Sequence, residues 1–266
     1  IWTTRRPRPD ADELANAIAL IKKSEKPVII AGGGVLYSQA TKELTDFADA
    51  HGIPVVVTQA GKSAIDERHP LALGSVGVTG TSAANAIAEE ADLLIAVGTR
   101  CQDFTTGSWA LFKNETLSIL GVNIAAYDAV KHDGLALVAD AREGLKAISE
   151  GLAGWKAPAA LAAKAEKEKK IWTEAAAKAM ATTNAALPSD AQVIGAVTRT
   201  IGGENAIALC AAGGLPGELH KLWPATVAGS YHMEYGFSWM GYEAAGGLGA
   251  KMGHPGQDVS VMVGDG

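Results

Sequence analysis

Short apolar runs ending in glycine recur along this chain, and the segments between them carry apolar residues at helical spacing. Val28-Ile29-Ile30-Ala31 runs into Gly32-Gly33-Gly34, and Leu93-Leu94-Ile95-Ala96-Val97 runs into Gly98. Val55-Val56-Val57, Leu117-Ser118-Ile119-Leu120 and Leu135 to Val138 are further runs of strand length. Consecutive apolar residues bounded by turn residues fit a strand buried on both faces. Such a sheet needs helices on both sides, and the intervening segments supply them. Leu14, Ala17, Ile18 and Ile21 give an amphipathic helix over Asp10 to Lys23. Leu44, Phe47 and Ala48 line the inner face of a helix over Ser38 to His51. Thr81 to Glu90 and Asp140 to Leu152 are two more. Strands alternating with helices on this scale predict an α/β fold with a parallel sheet.

After this unit, residues 1–154, the text changes. Trp155 to Asn184 is rich in Ala, Lys and Glu. Its charge run, Lys164 to Lys170, is interrupted by Glu166 and Glu168, which fits a solvated helix and not a nucleic-acid face. Residues 155–187 are read as a helical linker and residues 188–266 as the start of a second α/β unit. Ser189 and Gln192 have capping-box spacing, and Ile194, Val197 and Ile201 form the stripe of the helix they open. Ala206 to Cys210 is a strand, followed by a glycine-rich loop over Gly213 to Gly217. Tyr242 to Met252 is a helix of small residues. Val259 to Val263 is a strand that stops at Gly264-Asp265-Gly266. Two or three strands are few for a sheet, and the first residue is Ile1, so the expectation is a segment cut from a longer chain.

Composition narrows the partners. Hydrophobic residues are 48% and charged residues 20%, enough for a sizeable core. The net charge of −6 argues against nucleic acid or an anionic membrane as a partner. No apolar run approaches the ~18 residues of a membrane span. The two cysteines, Cys101 and Cys210, lie far apart beside or within strands, as expected of inert buried thiols in a reducing compartment, the cytoplasm.

The chemistry concentrates in Tyr231 to Gly266. Ligands of an open parallel sheet gather beyond the carboxyl ends of its strands, where Asp265 stands between two glycines that allow close backbone approach. A carboxylate beside a phosphate is a common Mg²⁺ ligand, and Asp-Gly is also a common turn pair. The strand ending in Gly264-Asp265-Gly266, after Gly236-Phe237-Ser238-Trp239-Met240-Gly241 at a helix start, resembles the diphosphate-binding domain of thiamine-diphosphate enzymes. The resemblance implies thiamine diphosphate and Mg²⁺ as cofactors, with Asp265 as metal ligand and Gly264 and Gly266 beside it. It implies that Gly214, Leu215, Pro216 and Gly217 hold the diphosphate end through backbone amides, with His220 close by. A plain βα turn, and a surface or capping histidine, are the alternatives.

It further implies that Gly236, Ser238, Trp239 and Met240 surround the aminopyrimidine ring, with Met240 as the apolar wedge that bends the cofactor. Simple core packing is the alternative for Met240. It makes the first unit a Rossmann-like middle domain and the second an incomplete diphosphate-binding domain. The Gly32-Gly33-Gly34 loop lacks the third small residue of the dinucleotide fingerprint, which favours a structural role.

Within that family, Gly98-Thr99-Arg100-Cys101-Gln102-Asp103-Phe104, Asn123-Ile124-Ala125-Ala126-Tyr127-Asp128 and Leu215-Pro216-Gly217-Glu218-Leu219-His220 resemble the branch that hydrolyses trihydroxycyclohexanedione in myo-inositol breakdown. The substrate implied is a small cyclic diketone. Water opens its ring between adjacent carbonyls, leaving a carboxylate and an aldehyde. An activating Glu is expected from a separate pyrimidine-binding domain of a neighbouring subunit, so the functional unit is a homodimer or homotetramer, and these 266 residues alone are expected not to turn over. Acetolactate synthases and other thiamine-dependent decarboxylases or carboligases share the layout. A non-catalytic nucleotide-binding module is a third reading.

Overall fold

A computed structural model describes residues 5–201, 206–211, 213–234, 236–237 and 239–263. The first helix, α1 (Ala11–Lys23), is opened by Asp10, whose carboxylate accepts from the amides of Asp12 and Glu13. Those amides would otherwise lack partners at a helix start. It buries Ala17 and Ile21 on the sheet. Then follow β1 (Pro27–Ala31), α2 (Gly33–Tyr37), α3 (Thr41–His51), β2 (Val55–Val57), β3 (Ala72–Ser75), α4 (Ser82–Glu89) and β4 (Leu93–Val97). After these come α5 (Asp103–Thr106), β5 (Ser118–Asn123), α6 (Ala126–Ala129), a 3₁₀ turn (Lys131–Asp133), β6 (Leu135–Val138) and α7 (Ala141–Gly151).

The six strands form one sheet in the order β3-β2-β1-β4-β5-β6, every pair parallel. Every residue of β1 and of β4 is buried, as their unbroken apolar text requires. The strand order reverses between β1 and β4, and there the glycines act as spacers. A Cβ on Gly32 would lie 2.3 Å from the Gly98 carbonyl oxygen, and one on Gly34 would lie 2.6 Å from Gly98 Cα. The Gly34 amide donates to that same carbonyl at 3.0 Å. The two strand-end loops therefore close on each other. The amide a dinucleotide phosphate would use is already occupied, in keeping with a structural role for this loop.

The remaining elements are α8 (Ala159–Ala179), α9 (Asp190–Ile201), β7 (Ala206–Cys210), α10 (Gly214–Leu222), β8 (Tyr231–Met233), α11 (Tyr242–Gly253) and β9 (Asp258–Val261). The long helix α8 is mostly exposed and buries Leu161 and Ala165, and its Trp172 packs against both hydrophobic cores. Before α9, the Ser189 amide donates to Gln192 Oε1 at 2.9 Å and the Gln192 amide to Ser189 Oγ at 3.4 Å, which is the reciprocal box expected. The second sheet is parallel, ordered β8-β7-β9. Among the described residues, no helix is long and apolar enough to cross a membrane.

The structure corrects the sequence reading in three places. The expected helix over Ser38 to His51 starts later, as α3, and a separate short helix, α2, precedes it where a glycine loop was expected, the two joined through Gln39 at φ 54°. The expected loop over Gly213 to Gly217 is the start of a helix, α10, with Gly213 as its cap at φ 139°. Strands β3 and β8 were not anticipated, being four and three residues long and mixed in polarity.

Candidate functional site

The parallel order β8-β7-β9 brings the carboxyl ends of all three strands to one edge. The chain leaves β7 into α10, β8 into the segment 234–241, and β9 toward Gly264. It passes from β7 to β8 on one side and then crosses to β9 on the other, so the crevice of this sheet opens at the end of β7.

On one arm stands the first turn of α10. Its cap, Gly213, offers no side chain, and the amides of Gly214 and Leu215 precede the first intrahelical bond, which runs from the Gly217 amide to Gly213 oxygen at 3.2 Å. Pro216 has no N–H to satisfy. A Cβ on Gly214 would meet nothing within 4 Å. The turn thus presents free donors at the positive end of a nine-residue helix, with space in front.

On the other arm, Glu234 follows β8 and organises the next residues. Its Oε1 accepts from the Phe237 amide at 3.3 Å and its Oε2 from the Trp239 amide at 2.9 Å. The segment ends at Gly241, φ 92°, whose amide donates to Glu243 Oε2 at 2.8 Å from the buried side of α11. Two carboxylates thus pin this segment from below, while its apolar side chains point outward. Phe237, Trp239 and Met240 are 81%, 62% and 74% exposed. Within this chain Met240 is not part of a core. Gly236 lies against Glu234, 3.3 Å from Oε1 to where a Cβ would stand.

Ser238, Gly264, Asp265 and Gly266 lie outside the described residues. Among the described residues no three His, Cys, Asp or Glu side chains group to hold a metal. Burial pushes the thiols of both Cys101 and Cys210 up to about 11, away from the thiolate form at neutral pH.

His220, expected near the diphosphate, is fully buried behind the cradle. Its Nδ1 meets Thr79 Oγ1 at 2.8 Å, and its carbonyl accepts from Ser75 Oγ. Burial, then the Lys62 charge, lower its pKa to about 3, against the Thr58 and Thr79 backbone groups that favour the charged form. The folded state holds this histidine neutral while the unfolded chain protonates it near 6.5. Its contribution is therefore intact above pH 6.5 and lost as pH falls toward 3. Moving from pH 7 to pH 5 should remove about 2 kcal/mol of stability through this group. His232, also lowered by burial, acts in the same direction. Denaturant unfolding at the two pH values, repeated in His220→Gln, checks this: an equal slope in the variant refutes it.

Around His220 lies a polar seam that the sequence reading did not anticipate. Lys62 Nζ, with no exposed side-chain surface, pairs with Glu67 Oε1 at 2.5 Å and sits 5.6 Å from the centre of the Tyr231 ring. The Glu67 amide donates to Ala225 oxygen at 3.1 Å, and the Gly229 amide donates to Ser63 Oγ at 3.1 Å. Lys169 of α8 donates to the Glu67 carbonyl at 2.8 Å. The segment 62–67 of the first sheet thus grips the strand-entry segment 225–231 of the second. Glu67 is only five residues from Lys62, but the Tyr231 ring reaches it from the second sheet, and that burial is not visible in the local sequence.

The geometry is that of a strand-end crevice with one anion-ready arm and one apolar arm. A family model of the thiamine pyrophosphate enzyme central domain matches residues 14–148, and one of the thiamine pyrophosphate enzyme C-terminal TPP binding domain matches residues 211–266. This chain belongs to the thiamine pyrophosphate enzymes. The family's C-terminal match covers both arms just described. Curated relatives include the 3D-(3,5/4)-trihydroxycyclohexane-1,2-dione hydrolase 2 of a Bacillus cereus strain, 42% identical over 282 residues. A hydrolase of the same dione from a second strain of B. cereus is also 42% identical, and that of Bacillus thuringiensis is 41% identical over 283 residues. Each match covers 97% of this chain and 44% of the relative, so the chain spans under half the length of the relatives it matches.

Proposed function

We propose that this chain holds thiamine diphosphate in a hydrolase that opens 3D-(3,5/4)-trihydroxycyclohexane-1,2-dione to 5-deoxy-glucuronate. The observation that supports it is the pairing of an uncapped, glycine-fronted helix start with an exposed Phe237-Trp239-Met240 arm at one sheet edge. A diphosphate needs the first and an apolar ring system the second. The identity of 42% to hydrolases of that name supports the choice of substrate.

In this reading the amides of Gly214 and Leu215 bind the terminal phosphate, where the helix dipole and free N–H groups favour negative charge. Gly217 keeps the turn close, and Pro216 fixes it. Asp265, between Gly264 and Gly266, is the ligand assigned to Mg²⁺. Met240 is the wedge under the bend of the cofactor, and backbone groups of Ser238 and Met240 orient the aminopyrimidine ring, with Gly236 and Trp239 beside it. When bound, thiamine diphosphate supplies the carbon nucleophile that attacks one ketone of the substrate. The chain's part is to hold the cofactor bent and to keep its anionic end fixed. His220 stays neutral behind the cradle and takes no proton in turnover. The assembly is a homodimer or larger, with the activating Glu contributed by a separate pyrimidine-binding domain.

The test is to incubate the full-length protein with thiamine diphosphate, Mg²⁺ and the cyclic dione. Consumption of dione with release of one carboxylate per ring is expected. Acetolactate formed from pyruvate, with the dione untouched, would replace this reading by that of a carboligase.

A further inference from the structure

The first sheet contributes to the cofactor arm although it touches no part of the crevice's open side. Thr79 follows β3 and meets α10 twice. Its hydroxyl lies 2.8 Å from His220 Nδ1, in the second half of that helix. Its Cγ2 lies 3.1 Å from where a Cβ on Gly217 would stand, in the first turn. Gln59 Nε2 donates to Thr79 Oγ1 at 3.4 Å, and the hydroxyl has capacity both for this donor and for the bond to His220 Nδ1. Ser75 adds a third hold: its hydroxyl donates to the His220 carbonyl, one of the last-turn acceptors that α10 cannot satisfy itself. The helix is therefore fixed in translation and in rotation about its axis by side chains of the other sheet.

We propose that Thr79 is a positioning residue for the diphosphate cradle: by its hydroxyl on His220 and its methyl on Gly217 it sets where the Gly214 and Leu215 amides point. This rests on the cofactor reading above. Its consequence is that cofactor affinity is set partly from the first sheet, by a residue that touches no cofactor atom.

Valine keeps the methyl and removes the hydroxyl, and serine does the reverse. In the full-length protein with Mg²⁺, Thr79→Val is expected to weaken thiamine diphosphate binding about tenfold, read by titration calorimetry. Thr79→Ser, keeping the hydroxyl, should stay within about threefold, and Ser75→Ala should weaken binding in the same direction as valine. Histidine ¹⁵N spectra of the apo protein should show the His220 Nδ1 resonance change in Thr79→Val alone of the two Thr79 variants, because only valine removes its hydrogen-bond partner. Wild-type affinity in both Thr79→Val and Ser75→Ala overturns the proposal while leaving the cofactor reading intact. No binding of thiamine diphosphate by the wild type overturns the cofactor reading and this inference with it, whatever the ¹⁵N spectra show. Should Thr79→Val not fold, Ser75→Ala decides.

Discussion

Replacing Lys62 by Met is expected to cost about 3 kcal/mol of stability and to lower the melting temperature by about 10 °C. The side chain is wholly buried, and its ammonium is the closest partner of Glu67. Methionine fills nearly the same volume, so the loss is of charge and not of packing. What remains is a carboxylate enclosed at the seam with one weak backbone donor, the Ala225 amide at 3.4 Å, and Lys169 held on the Glu67 carbonyl. Burial already pushes the Glu67 carboxyl above its usual range, with Lys62 opposing that shift. Without Lys62 the upward push of burial on the carboxyl is opposed less, so protonation costs less, which keeps the loss near the lower end for a broken buried pair. The double variant Lys62→Met/Glu67→Met should recover most of the loss, because two apolar side chains replace both charges. A single variant that melts with the wild type would mean that Glu67 does not depend on Lys62 for its charge, and the account of the seam would fail.

The seam around that pair also marks the limit of what sequence reading reaches. Strands β1, β2, β4 and β7 are legible because each is an unbroken apolar run, a pattern enforced by burial on both faces, and β6, an edge strand with only Leu137 buried, is legible from its apolar run alone. Ala72-Leu73-Gly74-Ser75 is an edge strand of the first sheet and Tyr231-His232-Met233 an edge strand of the second, where one side of the ladder is free and the apolar demand is weaker. Nothing in their text separates them from loops. The start of α10 was hidden for another reason: Gly213, Gly214, Pro216 and Gly217 read as turn residues, yet proline is tolerated in a first helical turn, and Gly213 caps the helix at a positive φ. The candidate residues along the chain after β7 and β8 were singled out as motifs. Ser75 and Thr79 were not, since each meets His220 across more than a hundred residues of sequence, nor was Lys62, whose contact with Tyr231 is as distant although Glu67 is near.

Met240→Ala should leave stability within about 0.5 kcal/mol of the wild type, because a side chain 74% exposed leaves no cavity when truncated. Turnover of the dione should nonetheless fall about 100-fold, the order of loss expected when reacting groups are displaced by about an ångström. The fall should be in kcat, with thiamine diphosphate affinity changed little, since the diphosphate is assigned to the Gly214–Gly217 turn on the other arm. Met240→Leu, which restores an apolar branch of similar size, should recover most of the rate. The two arms are thereby separable in one assay. Thr79→Val moves cofactor affinity through α10, and Met240→Ala moves the rate through the segment that Glu234 and Glu243 hold. An Ala variant with full kcat would remove the wedge from the mechanism and leave Met240 an exposed methionine without a task. An Ala variant that loses affinity and rate together would mean that the apolar arm binds the cofactor instead of shaping it.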